Sequence, residues 1–315
     1  MKRYATFTRD MEGYKWFKPI LVLLLAFFFQ TCASVILAVL YFLIKICNGI
    51  TLLDAMGIIT GGYDTMDVYS PEGALYMLGS IAMFIPAILL ASLIVKDRKF
   101  STYGSVCPGF DIKLFGKMLL VGILPVALPC ALSTIYGADY TGEIKFTVLG
   151  FIVCTALTLF QCMAEEYVFR GLIMQTVGGW TRNAIIAIII QAVIFASGHP
   201  YSIYGVIEVF IAGILLGTVA HITDGLEASS AAHFLNNITI FWLNGFGFQT
   251  ISTEVEFMSI IESTFIDGLF LIVVIILIKK GIIPKRQVQE QIQPVEGPVF
   301  NEVNNYGNEE QNWEK

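Results

Sequence analysis

The chain has 315 residues, 56 % of them hydrophobic and only 14 % charged, with a mean hydropathy of +0.72 and a formal net charge of −6. An ordinary soluble domain carries about a quarter of its residues as charges, so that class is excluded. The absence of a basic patch with interleaved aromatics excludes a nucleic-acid partner. What remains is an all-α polytopic membrane helix bundle, because several segments exceed the ~18 apolar residues that mark a span.

In chain order, the opening segment MKRYATFTRDMEGYKWFKPI is basic, and the apolar run behind it is too long for a signal-peptide core. No small-residue cleavage site follows, so this run reads as a retained first span. Eight spans are expected, near residues 19–44, 73–95, 114–136, 146–175, 183–199, 204–222, 228–244 and 262–279. With that count every basic cluster falls on one side: Lys2 to Lys18, the KDRKF connection, Arg170 with Arg182, and Lys279 to Arg286. The positive-inside rule then makes both termini cytoplasmic. The make-up fits an integral, multi-pass protein of a bacterial plasma membrane.

The six cysteines are scattered, four of them within expected spans, and show neither CxxC nor Cys/His spacing. GILLG, from Gly213 to Gly217, is a small-xxx-small pair suited to close helix packing. Residues 284–315 are polar, contain three prolines and lack an apolar period, so they read as a disordered tail behind a transmembrane domain of residues 1–283.

The stretch FQCMAEEYVFRGLIM raises the chemical question. Intramembrane acids are costly and usually face protein or water for a functional reason. On a helix Glu166 and Arg170 are i,i+4 neighbours with the acid on the N-terminal side, the better order for an ion pair. Glu165 points about 100° away and has no partner in its own segment. Glu166 therefore reads as structural and Glu165 as chemical. The plainer alternative is that both acids mark a helix end near the interface.

All three histidines fall between residues 199 and 233. His199 ends the apolar run VIFASGHP one turn after Phe195, and His233 stands one turn before Asn237 in the seventh span. His221, beside Asp224 at an expected interface, is left out of the site. No GxSxG, HExxH or local Cys–His pair is present, which leaves an activated water. Glu165 would act as general base, an imidazole would pass the proton on, and Asn237 would donate to an oxyanion. The competing use of the same atoms is a zinc site with Glu165, His199 and His233 as a His₂Glu ligand set. The metal-free reading is preferred, because pairing with Arg170 leaves Glu166 poorly placed to serve as the base that a metal-bound Glu165 could not be.

At these residues the chain resembles the CPBP/Abi family of CAAX prenyl endopeptidases and bacteriocin-processing intramembrane proteases. Its three motifs appear in order as EEYVFRG (Glu165, Glu166, Arg170), FASGH (Phe195, His199) and HFLNN (His233, Asn237), within residues 146–244. The resemblance implies a helical membrane endopeptidase with Glu165, His199, His233 and Asn237 in its active site and Glu166, Arg170 and Phe195 supporting it. It also implies a membrane-associated or lipidated peptide as substrate, or a role in self-protection against a bacteriocin. Two other classes stay open: a proton-coupled transporter using the same ionisable groups as a relay, and a non-catalytic membrane scaffold or immunity protein.

Overall fold

The structure is a computed structural model and describes residues 4–60, 67–107, 109–136, 140–248, 254–284 and 286. Among these no strand forms; a single bridge pairs Ser105 with Gly225. The tail expected over residues 284–315 lies, apart from Pro284 and Arg286, outside the described residues.

Helix α1, Lys18–Cys47, begins with Pro19 in its first turn, where the missing N–H costs nothing. It turns most of its leucines, phenylalanines and isoleucines outward and buries only Pro19, Val22, Ala26 and Tyr41. A long helix with so much apolar surface facing out is solvated by lipid. After the short α2, Leu52–Thr60, the Ser70 hydroxyl caps α3, Pro71–Ala82, by accepting from the Gly73 N–H at 3.1 Å. The break to α4, Phe84–Val95, follows from Pro86, which cannot donate to the Ala82 carbonyl. The four-residue α5, Ser101–Gly104, leads to α6, Ile112–Gly122, which is capped by Asp111 and joined to α7, Leu128–Tyr136, through a π-helical turn containing Pro125.

Helix α8, Val148–Glu166, continues through a second π-helical stretch, Tyr167–Met174, into α9, Gln175–Thr181. The resulting 34-residue run is the longest among the described residues. Then come α10, Ala184–Ser197, α11, Ile203–Thr223, α12, Glu227–Gly245, and α13, Phe257–Lys279.

Of the eight spans expected from sequence, six are long and apolar enough to cross a membrane. The exceptions are α10, only 14 residues, and α12, whose polar residues lower its hydropathy. The two departures differ in cause. Helix α12 is largely buried in the bundle and, walled by protein, need not be uniformly apolar. Helix α10 keeps an exposed apolar face of Ile185, Ile186, Ile189, Val193 and Ile194 and falls short in length alone. The expected close pair is present: a side chain at Gly213 would strike Ala192, and the Gln191 amide donates to the Gly213 carbonyl at 2.7 Å, locking α10 onto α11.

Two apolar cores flank the long α8–α9 run. One gathers α4, Tyr103, the second π-helical stretch, α10 and the N-terminal residues Tyr4, Ala5 and Phe7. The other gathers α6, α12 and α13. The N-terminal segment, expected only as a basic leader, is thus part of the core. The Tyr4 hydroxyl donates to the Tyr103 carbonyl, the Tyr4 N–H to Asp224 at 3.3 Å, and the Ala5 N–H to His221 Nδ1 at 3.3 Å. That bond gives His221 a structural use. At the same end Arg286 pairs with the buried Glu227 at 2.9 Å, tying the chain beyond α13 to the start of α12.

Candidate active site

Glu165 and Glu166 are the last two residues of α8, immediately before the backbone passes into π-helical bonding. Single π turns inside α-helices are frequent at functional sites. The Arg170 guanidinium, on that stretch, lies 3.0 Å from the Glu166 carboxylate, and both side chains are completely buried. The expected pairing is therefore present. Its second partner was not legible from spacing: the Arg170 guanidinium also stands over the Phe195 ring, 4.5 Å from the centroid. A buried cation gains most from an aromatic face when water is absent.

His233 on α12 reaches both acids. Its Nδ1 is 3.0 Å from Glu166 Oε1 and its Nε2 is 3.4 Å from Glu165 Oε2. Because Arg170 supplies the positive charge beside it, the Glu166 carboxylate accepts, and His233 Nδ1 is the donor. The other nitrogen, Nε2, then faces Glu165. This bridge could not be read from sequence, since α8 and α12 approach only in the folded bundle.

His199 lies just beyond α10, in the turn Gly198–Ser202. Its Nδ1 is 2.8 Å from the Phe195 carbonyl. A carbonyl only accepts, so Nδ1 carries the hydrogen and Nε2 keeps its lone pair in the neutral ring. The Phe195 ring is 4.8 Å from the His199 ring and 6.1 Å from the His233 ring, edge-on to both. Straight perpendicular spans would hold the two histidines at different depths. The early end of α10 and the irregular turn after it bring them to either side of Phe195. Asn237 is one turn beyond His233; its Oδ1 accepts from the Asn236 amide at 3.3 Å, and its side chain also hydrogen-bonds with buried Cys162.

A cavity of about 1380 Å³ runs along the α8–α9 floor between α1, α3 and α4 on one side and α10 on the other. Glu165, His199 and Asn237 line it; Glu166, Arg170 and His233 do not. Gln161 and Tyr201 are among the other polar side chains that line it. Gln161 precedes Glu165 by one helical turn, so its place on the same face was available from spacing; Tyr201 had no such signal. Phe27, Leu23 and Ile81 make the opposite wall apolar. Among the described residues no three His, Cys, Asp or Glu side chains are gathered closely enough to hold a metal ion.

Residues 147–239 match the family model described as type II CAAX prenyl endopeptidase, Rce1-like. The match is a little under a third of the chain, starting at the cap of α8 and ending two residues after Asn237. No curated protein and no solved structure matches the chain. The matched segment is the one that supplies every residue of the three motifs, and over it the chain is similar to the Rce1-like type II CAAX prenyl endopeptidases.

Proposed function

We propose that the protein is an intramembrane endopeptidase in which Glu165 activates a water against a peptide bond of a membrane-associated or lipidated substrate. The observation that carries this reading is the division of the two adjacent acids. Glu166 is sealed against Arg170 and His233, whereas Glu165 opens into the large apolar cavity. A carboxylate at a cavity wall, backed by an imidazole, is placed to take a proton from water.

In this scheme Glu165 removes the proton as the water oxygen bonds to the carbonyl carbon. Oε2 shares that proton with His233 Nε2, whose orientation is fixed by the bond from Nδ1 to Glu166. The Asn237 NH₂ donates to the developing oxyanion. His199, with Nε2 unprotonated, cannot donate there; it accepts, holding the water or the substrate N–H. The C–N bond breaks as the shared proton passes to the leaving amine. The apolar walls suit a lipidated or hydrophobic peptide entering from the bilayer, and the basic end of the bundle, with Arg98, Arg182 and Lys279, faces the cytoplasm.

The test is cleavage by purified protein in detergent, wild type beside Glu165→Gln, on a pool of lipidated and hydrophobic peptides, with a chelator run in parallel. New termini from the wild type alone support the proposal, and their loss on chelation would transfer the water to a metal. Equal cleavage by both proteins would remove Glu165 from the chemistry. A second reading has its own observation. Glu208, which accepts from Ser263, and Asp267, one turn further along α13, are additional acids inside spans and are what a proton relay would use. Gradient-dependent uptake without new termini would favour it.

A further inference from the structure

The two histidines of the site are held very differently. His233 is gripped at both nitrogens by carboxylates and is buried. His199 sits outside any helix, half-exposed, with one hydrogen bond, and needs something else to keep its ring from turning. That something is on the page two residues later. The turn at Pro200 brings the Tyr201 N–H to the His199 carbonyl at 2.9 Å and lays the phenol ring along the imidazole, with centroids 5.8 Å apart and planes at 26°. His199 is thus flanked by the edge-on Phe195 ring and the near-parallel Tyr201 ring.

The neighbourhood is built to put Tyr201 there. A side chain at Gly205 would begin 2.6 Å from the Tyr201 Cβ, so the close approach of α11 requires glycine. The Ser202 hydroxyl, next to Tyr201, accepts from the Val255 N–H at 3.0 Å and anchors the turn to the segment ahead of α13. Tyr201 also lines the cavity. Burial, then the negative charges of Glu165 and Glu208, push its phenol up, so it stands as a neutral hydroxyl rather than an anion.

We propose that Tyr201 is a positioning residue. Its ring clamps His199 in the one orientation that keeps Nδ1 on the Phe195 carbonyl and Nε2 available to the cavity. This rests on the reading of His199 as an acceptor in hydrolysis, but it can be tested apart from hydrolysis, because the chain has only three histidines. Nitrogen-15 NMR of histidine-labelled protein in detergent resolves each ring and reports its tautomer. His199 should show a single Nδ1–H form in the wild type and in Tyr201→Phe, and a mixture in Tyr201→Leu, with His221 and His233 unmoved.

Rates should follow. Tyr201→Leu should lower kcat by roughly 10- to 100-fold with KM little changed, the size of loss that misplacing a reacting group brings. Tyr201→Phe should stay within about twofold of wild type, since the ring rather than the hydroxyl does the clamping. Gly205→Ala, which displaces Tyr201 without altering it, should reproduce the leucine phenotype in both readouts and serves if that variant folds poorly. An unchanged His199 tautomer in both Tyr201→Leu and Gly205→Ala would overturn the proposal, as would equal losses in the leucine and phenylalanine variants. If no variant or wild type cleaves peptide, the hydrolytic reading fails while the tautomer measurement still decides the clamp.

Discussion

The two sides of the C-terminal end of α8 differ as a sealed region and an open one. On one side Glu166, Arg170 and His233 form a buried chain of charge closed by the Phe195 ring. On the other, Glu165, His199 and Asn237 stand along a cavity of about 1380 Å³. Identical carboxylates on adjacent residues have different work because a helix turns about 100° between them. In the proposed scheme the buried side fixes positions and the cavity side reacts. Losing a buried group should therefore cost the fold, and losing a cavity group should cost turnover alone.

The largest effect should come from Glu165→Gln, which keeps shape and removes the base. Cleavage should vanish while thermal stability in detergent stays within the effect of a surface substitution, roughly 0.5 kcal/mol. The mirror case is Arg170→Ala, which leaves Glu166 buried without its cation; about 3–5 kcal/mol of stability should go, read as lower membrane yield and lower Tm. Asn237→Ala should slow turnover by roughly 10²–10³-fold with little change in KM, as removal of an oxyanion donor does. Phe195→Leu keeps the apolar volume but removes the ring beneath the guanidinium. Its stability should fall by about 0.5–2 kcal/mol, measured by denaturation in detergent. The smallest effect should be Glu208→Gln, at a residue that does not line the cavity. An unchanged cleavage rate supports hydrolysis, whereas a loss comparable to that of Glu165→Gln would favour the proton relay.

Much of this contrast was legible in the sequence, and the reasons are local. The four-residue spacing of Glu166 and Arg170 dictates their pairing, and the odd residue out, Glu165, had to face elsewhere. The two glycines of GILLG announced the close approach of α10 and α11. What could not be read depends on packing between distant segments. His233 bridging both carboxylates, Arg170 over Phe195, and the burial of Tyr4, Ala5, Phe7 and Thr8 each join residues far apart in the chain. Apolar runs alone also did not separate α10, apolar but only 14 residues long, or α12, whose polar residues are held by protein, from the full-length apolar helices. Tyr201 was overlooked because nothing in HPYS marks an aromatic that folds back on the residue two before it.

The most direct test of the central claim is a single-turnover cleavage in water enriched in heavy oxygen, followed by mass spectrometry of both product and enzyme. Direct attack by water activated at Glu165 predicts the heavy oxygen in the new carboxylate of the product from the first turnover, with Glu165 unlabelled. Label in Glu165 itself, with the first product unlabelled, would mean that the carboxylate attacks the substrate and is later hydrolysed, contradicting the account.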